Sequence, residues 1–312
     1  MLQNKRILVT GGTGFLGQHL VRALCDHGVP TQDISVPSSA EYDLRKHDEV
    51  ERLFTNSKYD VVFHLATVAG GIELMQERPA EVFRDNLLMH TFAMDAARRH
   101  GVQKFIAVGS ALIYPEGAPM PLREEDIWNG QPHPTTRCFG LPGRMLLAQA
   151  QMSRKQSGFN AIYLVLCNLY GPGDHFFTRH PHVIPAMIKK FDGANAVTLF
   201  GTGDAAREFL HVRDAARALI DAAEKYDGEE PLNIGSGIVT PLRELAGIIA
   251  KESGFKGAIN WDTTKPEGEK RRCIDSSRAK KMLSFTPTIA LEDGLRETIA
   301  WYREEKHRRG GK

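Results

Sequence analysis

The stretch Thr10-Gly11-Gly12-Thr13-Gly14-Phe15-Leu16-Gly17 follows an apolar run and opens an amphipathic one, the context in which GxxGxxG spacing points to a dinucleotide. Gly11 permits the tight turn, Gly14 lets backbone approach a pyrophosphate, and Gly17 lets the following helix pack on the strand while its N-terminus faces the anion. Thr13, Phe15 and Leu16 complete this loop. An acid about twenty residues on would bond a ribose 2′-hydroxyl and select NAD. Ile34-Ser35-Val36-Pro37-Ser38-Ser39 has neither that acid nor an arginine for a 2′-phosphate, and Asp33 falls at the start of its strand, so NAD and NADP both remain open. Asp43-Leu44 fits an adenine-edge contact. Asp174, His175, His180 and His182 crowd one loop, but their spacing matches no structural zinc pattern, and no metal is expected.

Positioning such groups requires alternating strands and helices. The pattern predicts strands at 6–10, 32–36, 60–65, 104–109, 161–167 and 196–200, and helices at 16–27, 47–55, 79–100, 142–157 and 183–191, with a return to the sheet rhythm over 208–235. This is an α/β chain with a doubly wound parallel Rossmann sheet and a smaller mixed C-terminal substrate domain. The expected partition assigns 1–167 and 207–235 to the dinucleotide-binding domain, and 168–206 and 236–312 to the substrate domain. Residues 114–141 and 171–182 read as long loops, which in compact domains usually serve function.

The bulk properties exclude several classes of function. The 312 residues are 42% hydrophobic with a formal charge of +2, too little for a nucleic-acid or membrane partner. The basic end, Arg303 to Lys312, reads as a solvated, frayed tail. Four cysteines without a CxxC pair suggest reduced thiols, and no apolar run approaches membrane-helix length, so a cytoplasmic protein is expected.

Further stretches are more specific: His64-Leu65-Ala66-Thr67-Val68-Ala69-Gly70-Gly71-Ile72, Asn86, Gly109-Ser110-Ala111-Leu112-Ile113-Tyr114-Pro115, Asn168-Leu169-Tyr170-Gly171-Pro172, Pro181-His182-Val183-Ile184-Pro185-Ala186, Gly201-Thr202-Gly203, Arg207-Glu208-Phe209-Leu210 and Lys265-Pro266-Glu267-Gly268. In this order they resemble the extended short-chain dehydrogenase/reductase (NAD-dependent epimerase/dehydratase) family, in its GDP-L-fucose synthase branch, over nearly the whole chain. The resemblance implies NAD(P) along Leu65, Ala66, Asn86, Val108, Asn168 and Leu169. It also implies a nucleotide sugar, GDP-linked, held by Lys190, Phe200 and Arg207, and a homodimer through helices 79–100 and 142–157. Cations suit diphosphate oxygens, and a Phe200 ring can stack on a base.

The family's chemistry uses Ser and Tyr hydroxyls, a Lys four residues after the Tyr, a Cys and a His. Only Ser110 and His182 stand here as catalytic candidates; Phe139, Gly143 and Leu112 occupy the Tyr, Lys and Cys positions. Pro142 suits only a helix's first turn, so the helix is expected to start near it, with 133–141 as loop. Phe139 cannot donate a proton, which removes a general acid worth roughly 10²–10⁴ in rate. Cys138 is a conceivable substitute acid, Tyr114 is expected to pack, and Arg144 to meet solvent or ribose. Three readings follow: a nucleotide-sugar epimerase/reductase type enzyme with atypical residues, an inactive NAD(P)-binding pseudoenzyme or regulatory subunit, and a reductase of another carbonyl substrate.

Overall fold

The computed structural model describes residues 2–179, 181–265 and 270–310. Five apolar strands alternate with helices: β1 (Ile7–Thr10), α1 (Phe15–Asp26), β2 (Ile34–Ser35), α2 (His47–Asn56), β3 (Val61–His64), α3 (Ile72–Glu77), α4 (Pro79–Arg99), β4 (Lys104–Ser110), α5 (Arg137–Ser157) and β5 (Ala161–Leu166). There follow β6 (Asn168–Tyr170), α6 (Val183–Phe191), β7 (Ala196–Phe200), β8 (Ala206–His211), α7 (Val212–Lys225), β9 (Leu232–Ile234), β10 (Val239–Pro241), α8 (Leu242–Ser253), β11 (Ala258–Asp262), β12 (Arg271–Arg272), α9 (Ser277–Leu283) and α10 (Leu291–Gly310). The main sheet runs β2-β1-β3-β4-β5-β9, parallel throughout, as expected of strands buried on both faces. The chain order reverses between β1 and β3. In such sheets the crevice beyond the carboxyl ends at that reversal is where ligands bind.

A second apolar core gathers Tyr170, Phe176, Ile184, Phe191, Leu245, Leu295 and Tyr302, over β6, α6, α8 and α10. There β8 pairs with β6 and β12 in parallel and with β10 antiparallel, while β7 and β11 form a separate parallel pair. Helix α7 and strand β9 pack in the first core, and so do Ala279, Leu283 and Phe285 in and after α9.

Three expectations about elements need correction. The second strand covers only Ile34–Ser35, because Thr31–Asp33 winds into a 3-10 turn. The basic end is no frayed tail: α10 runs to Gly310, with Arg303 and Lys306 bonded to Asp192 and Arg308 and Arg309 to Glu305. Residues 114–141 are not loop throughout, and α5 starts at Arg137, five residues before Pro142. Proline deprives the Cys138 carbonyl of its helical partner, yet the turn is held by what surrounds it. A Cβ on Gly140 would sit 2.4 Å from the Leu112 carbonyl oxygen, so the helix lies directly on the turn at 111–113. Arg144 then ties it down, its Nε donating to Ile113 O and its Nη1 to Gly130 O, both at 2.6 Å. Arg144 is thus a buried clamp and not a solvent contact.

Beneath the crevice, Thr10 Oγ1 lies 2.9 Å from His64 Nδ1, and His64 Nε2 lies 2.9 Å from His90 Nδ1. Burial pushes His64 well below the usual imidazole range and His90 to about 4, so both are neutral at pH 7. A depressed histidine pKa stabilises the fold above about pH 6.5, and that contribution is lost as pH falls toward 4. The melting temperature is expected to drop by about 5 °C or more across that window, and His90→Gln to reduce the drop. Scanning fluorimetry from pH 7.5 to 4 checks it; a flat profile would contradict the neutral pair.

Candidate functional site

One cleft of about 1360 Å³ opens at the reversal between β1 and β3 and runs to α6 and β8. At one end, Gly11 takes a left-handed φ of 70°, and a Cβ there would stand 2.8 Å from Ala66 N, so the loops after β1 and β3 touch backbone to backbone. Gly17 faces the same turn: its Cβ would lie 2.2 Å from Gly11 O. The first turn of α1 has no side-chain cap, which leaves its N–H groups for an anion. Thr13, Gly14, Phe15, Leu16, Leu65, Ala66, Val108, Asn168 and Leu169 line the cleft along with these glycines, so the sequence-identified loop, strand ends and β6 meet in one place.

Pro37, Ser39, Tyr42, Asp43, Leu44 and Arg45 line the same cleft. Asp43 is gripped by Arg45 through two bonds of 2.8 and 2.9 Å, and Arg45 reaches on to Asp85 at 3.1 Å. The hydrogen bond from Arg45 holds the Asp43 carboxyl below its usual range. Asn86 is not among the lining residues: its amide oxygen accepts from Thr67 Oγ1 and Val68 N, at 2.8 and 2.7 Å. It fixes the loop that forms the wall.

The positions expected from the sequence to be catalytic line one cleft. Ser110 ends β4, its Oγ accepting weakly from Leu112 N at 3.3 Å, and Leu112, Phe139, Gly143 and His182 line the same space. Because α5 begins early, Phe139 and Gly143 lie four residues apart on one helix face. This is the spacing that the resemblance implies for a phenol and an ammonium, and neither Phe139 nor Gly143 carries such a group. Space at position 143 is filled from below: Tyr163 Oη donates to Gly143 O at 2.9 Å, and a Cβ on Gly143 would meet Ile113 Cγ2 at 2.8 Å and Tyr163 Oη at 3.3 Å.

The substitute acid considered from the sequence, Cys138, does not face this space, and Tyr114 packs as expected. Cys138 Sγ points to Met75 O at 3.7 Å, burial raises its pKa, and it does not line the cleft. Tyr114 Oη donates to Asn233 Oδ1 at 2.7 Å inside the core. Among the ionisable groups that line the cleft, His182 lies 3.3 Å through Nδ1 from the buried carboxylate of Asp174, and His175 lies at the same distance. The ligand-type atoms of these three lie within 4.8 Å of one another. Asp174 Oδ1 also accepts from His175 N at 2.6 Å, the pattern of a hydrogen-bonded network. His180 and Pro266-Glu267-Gly268 lie outside the described residues.

Of the residues that the resemblance assigns to the nucleotide sugar, Arg207 lines the cleft. Lys190 and Phe200 do not; they stand as a pair on α6 and β7, the Lys190 ammonium 4.5 Å over an exposed Phe200 ring. Sequence reasoning missed Arg179 and Arg272, which also line it, since nothing in their spacing marks them. Among the described residues no helix is long and apolar enough to cross a membrane, and all four cysteines are free.

The model of the NAD dependent epimerase/dehydratase family matches residues 7–235. GDP-L-fucose synthase 1 of Arabidopsis thaliana is 36% identical over 305 residues, covering 96% of this chain and 94% of its own length. The GDP-L-fucose synthase of Escherichia coli is 30% identical, covering 98% and 99%. Among solved structures, a GDP-6-OMe-4-keto-L-xylo-heptose reductase from C. jejuni superposes with a TM-score of 0.91 at 26% identity, covering 98% of this chain and 99% of that one. A GDP-L-fucose synthetase from Naegleria fowleri bound to NADP gives 0.88 at 25% identity, covering 98% and 96%.

Proposed function

This chain belongs to the NAD-dependent epimerase/dehydratase family, and we propose that it binds NAD or NADP together with a GDP-linked sugar and moves a proton on that sugar through His182. One observation supports this above the others: a single cleft joins the glycine loop to Ser110, His182 and Arg207, while its wall at 139 and 143 has no proton donor. The uncapped first turn of α1 and the left-handed Gly11 fit a dinucleotide diphosphate. The dinucleotide, when bound, supplies hydride chemistry. Arg207 and the other cleft guanidiniums suit the sugar nucleotide's diphosphate; Phe200 and Lys190 stand outside the cleft lining, paired with each other. The names of the relatives support GDP as the nucleotide.

Within the site, Ser110 donates to a sugar carbonyl oxygen, and the neutral imidazole of His182 takes a proton from the adjacent carbon and returns it. A carbonyl acidifies its neighbouring C–H bonds, so this needs neither the phenol nor the ammonium. We place a homodimer contact on α4 and α5, where Met145 and Met152 are exposed.

The test is deuterium uptake at C3 or C5 of GDP-4-keto-6-deoxymannose in D₂O, followed by NMR. Exchange is expected, and His182→Ala should slow it at least about tenfold. No exchange with this or related 4-keto sugars would overturn the reading. A second reading, a pseudoenzyme that holds both ligands, is favoured by Phe139, Gly143 and Leu112 in the wall. It requires tight dinucleotide binding with no turnover of any kind.

A further inference from the structure

The loop after β6 buries a charge. Asp174 follows Gly171-Pro172-Gly173, and its side chain is 0% exposed. The loop is anchored on both sides, by His19 Nε2 2.7 Å from Pro172 O and by Phe176 stacked on Tyr302 with ring centroids 4.8 Å apart. A carboxylate removed from water is costly unless paired and hydrogen-bonded. Here Oδ1 takes the His175 N–H and faces both imidazoles, whereas Oδ2 has no hydrogen-bond partner among the described residues. His182, by contrast, stands half exposed at the cleft, at the N-cap of α6.

We propose that Asp174 is the positioning residue for His182: its buried carboxylate accepts the Nδ1 proton, which fixes the ring and leaves Nε2 as the nitrogen that meets substrate. This rests on the proton-transfer reading above. A histidine's reactive nitrogen is set by the bond its other nitrogen makes. The same contact sets the protonation range. Its hydrogen bond to Asp174 raises the His182 pKa, with burial opposing, and burial's upward pull on Asp174 is outweighed by the bonds from His175 and His182. Glu73, Arg179, Arg207 and Arg272 line the same cleft and His175 shares the carboxylate, but the rise at His182 comes from Asp174. As a base, His182 works once deprotonated, so exchange should climb as pH rises through its raised pKa.

Nitrogen-15 shifts of His182 in the unmodified protein, recorded from pH 5 to 9, test the arrangement without any variant. The neutral ring is expected to carry its proton on Nδ1; a proton on Nε2 overturns the proposal. In Asp174→Asn, His182 should titrate at lower pH, the rise of the exchange rate should move to lower pH with it, and the plateau should fall roughly tenfold. His175→Asn should leave the His182 titration in place, since the His182–Asp174 bond is untouched. An unchanged His182 titration in Asp174→Asn, or the same change in both variants, would overturn the assignment. Absence of exchange in the unmodified protein would remove the proton-transfer reading, while the NMR titration still decides whether Asp174 holds His182.

Discussion

Gly17→Ala is expected to abolish dinucleotide binding, lowering affinity for NAD and NADP at least about 100-fold, because its methyl group has only backbone to push against. The added carbon would sit 2.2 Å from Gly11 O, 2.5 Å from Gly12 Cα and 2.7 Å from Gly12 C. A clash with a flexible side chain relaxes by a rotamer change; here α1 must move away from the loop it caps, and the N–H groups facing the anion move with it. Gly247→Ala is the control. That exposed glycine in α8 has nothing within 4 Å of a new Cβ, and the substitution should be neutral or stabilise by up to about 1 kcal/mol. Calorimetric titration with both dinucleotides reads the difference. Retained affinity in Gly17→Ala would mean that the cofactor does not lie on this turn.

Phe139→Tyr should raise NAD(P)H-dependent reduction of a 4-keto GDP-sugar by roughly 10²-fold over the unmodified chain, toward the lower end of what a general acid contributes. Position 139 already faces the cleft from the right face of α5, so a hydroxyl added there meets the same space as Ser110. No cation follows at 143 to lower the phenol's pKa, which keeps the gain below the full effect. Adding Gly143→Lys should give nothing further and cost about 1–3 kcal/mol. Its Cβ would press on Ile113 Cγ2 at 2.8 Å and on Tyr163 Oη at 3.3 Å, and Tyr163 is fully buried with no room to withdraw. Stopped-flow oxidation of NADPH and chemical denaturation separate the two effects. A Phe139→Tyr protein no faster than the parent would place the sugar carbonyl away from this wall.

Phe139 and Gly143 are therefore embedded in packing. Ile113 and Tyr163 close the space under position 143, and Arg144 locks the helix to the 111–113 turn. Placing Tyr and Lys there one residue at a time meets these neighbours.

The residue order alone determined the parallel sheet, the glycine turn and the identities Phe139, Gly143 and Leu112, none of which carries a titratable group, since apolar runs, glycine spacing and side-chain identity are local properties of a chain. Asn168, Leu169, Ser110 and His182 were legible for the same reason, through stretches whose order resembles a known family. The start of α5 was not. Pro142 and two glycines argue against helix locally, and only contact with the 111–113 turn and the reach of Arg144 to two distant carbonyls outweigh them. Nor did spacing reveal Asp174 as the partner of His182, the removal of Asn86 from the cleft, or the histidine pair under β1 and β3. These depend on which groups folding shuts away from water, where an unpaired charge or imidazole is costly, and burial is settled by tertiary packing.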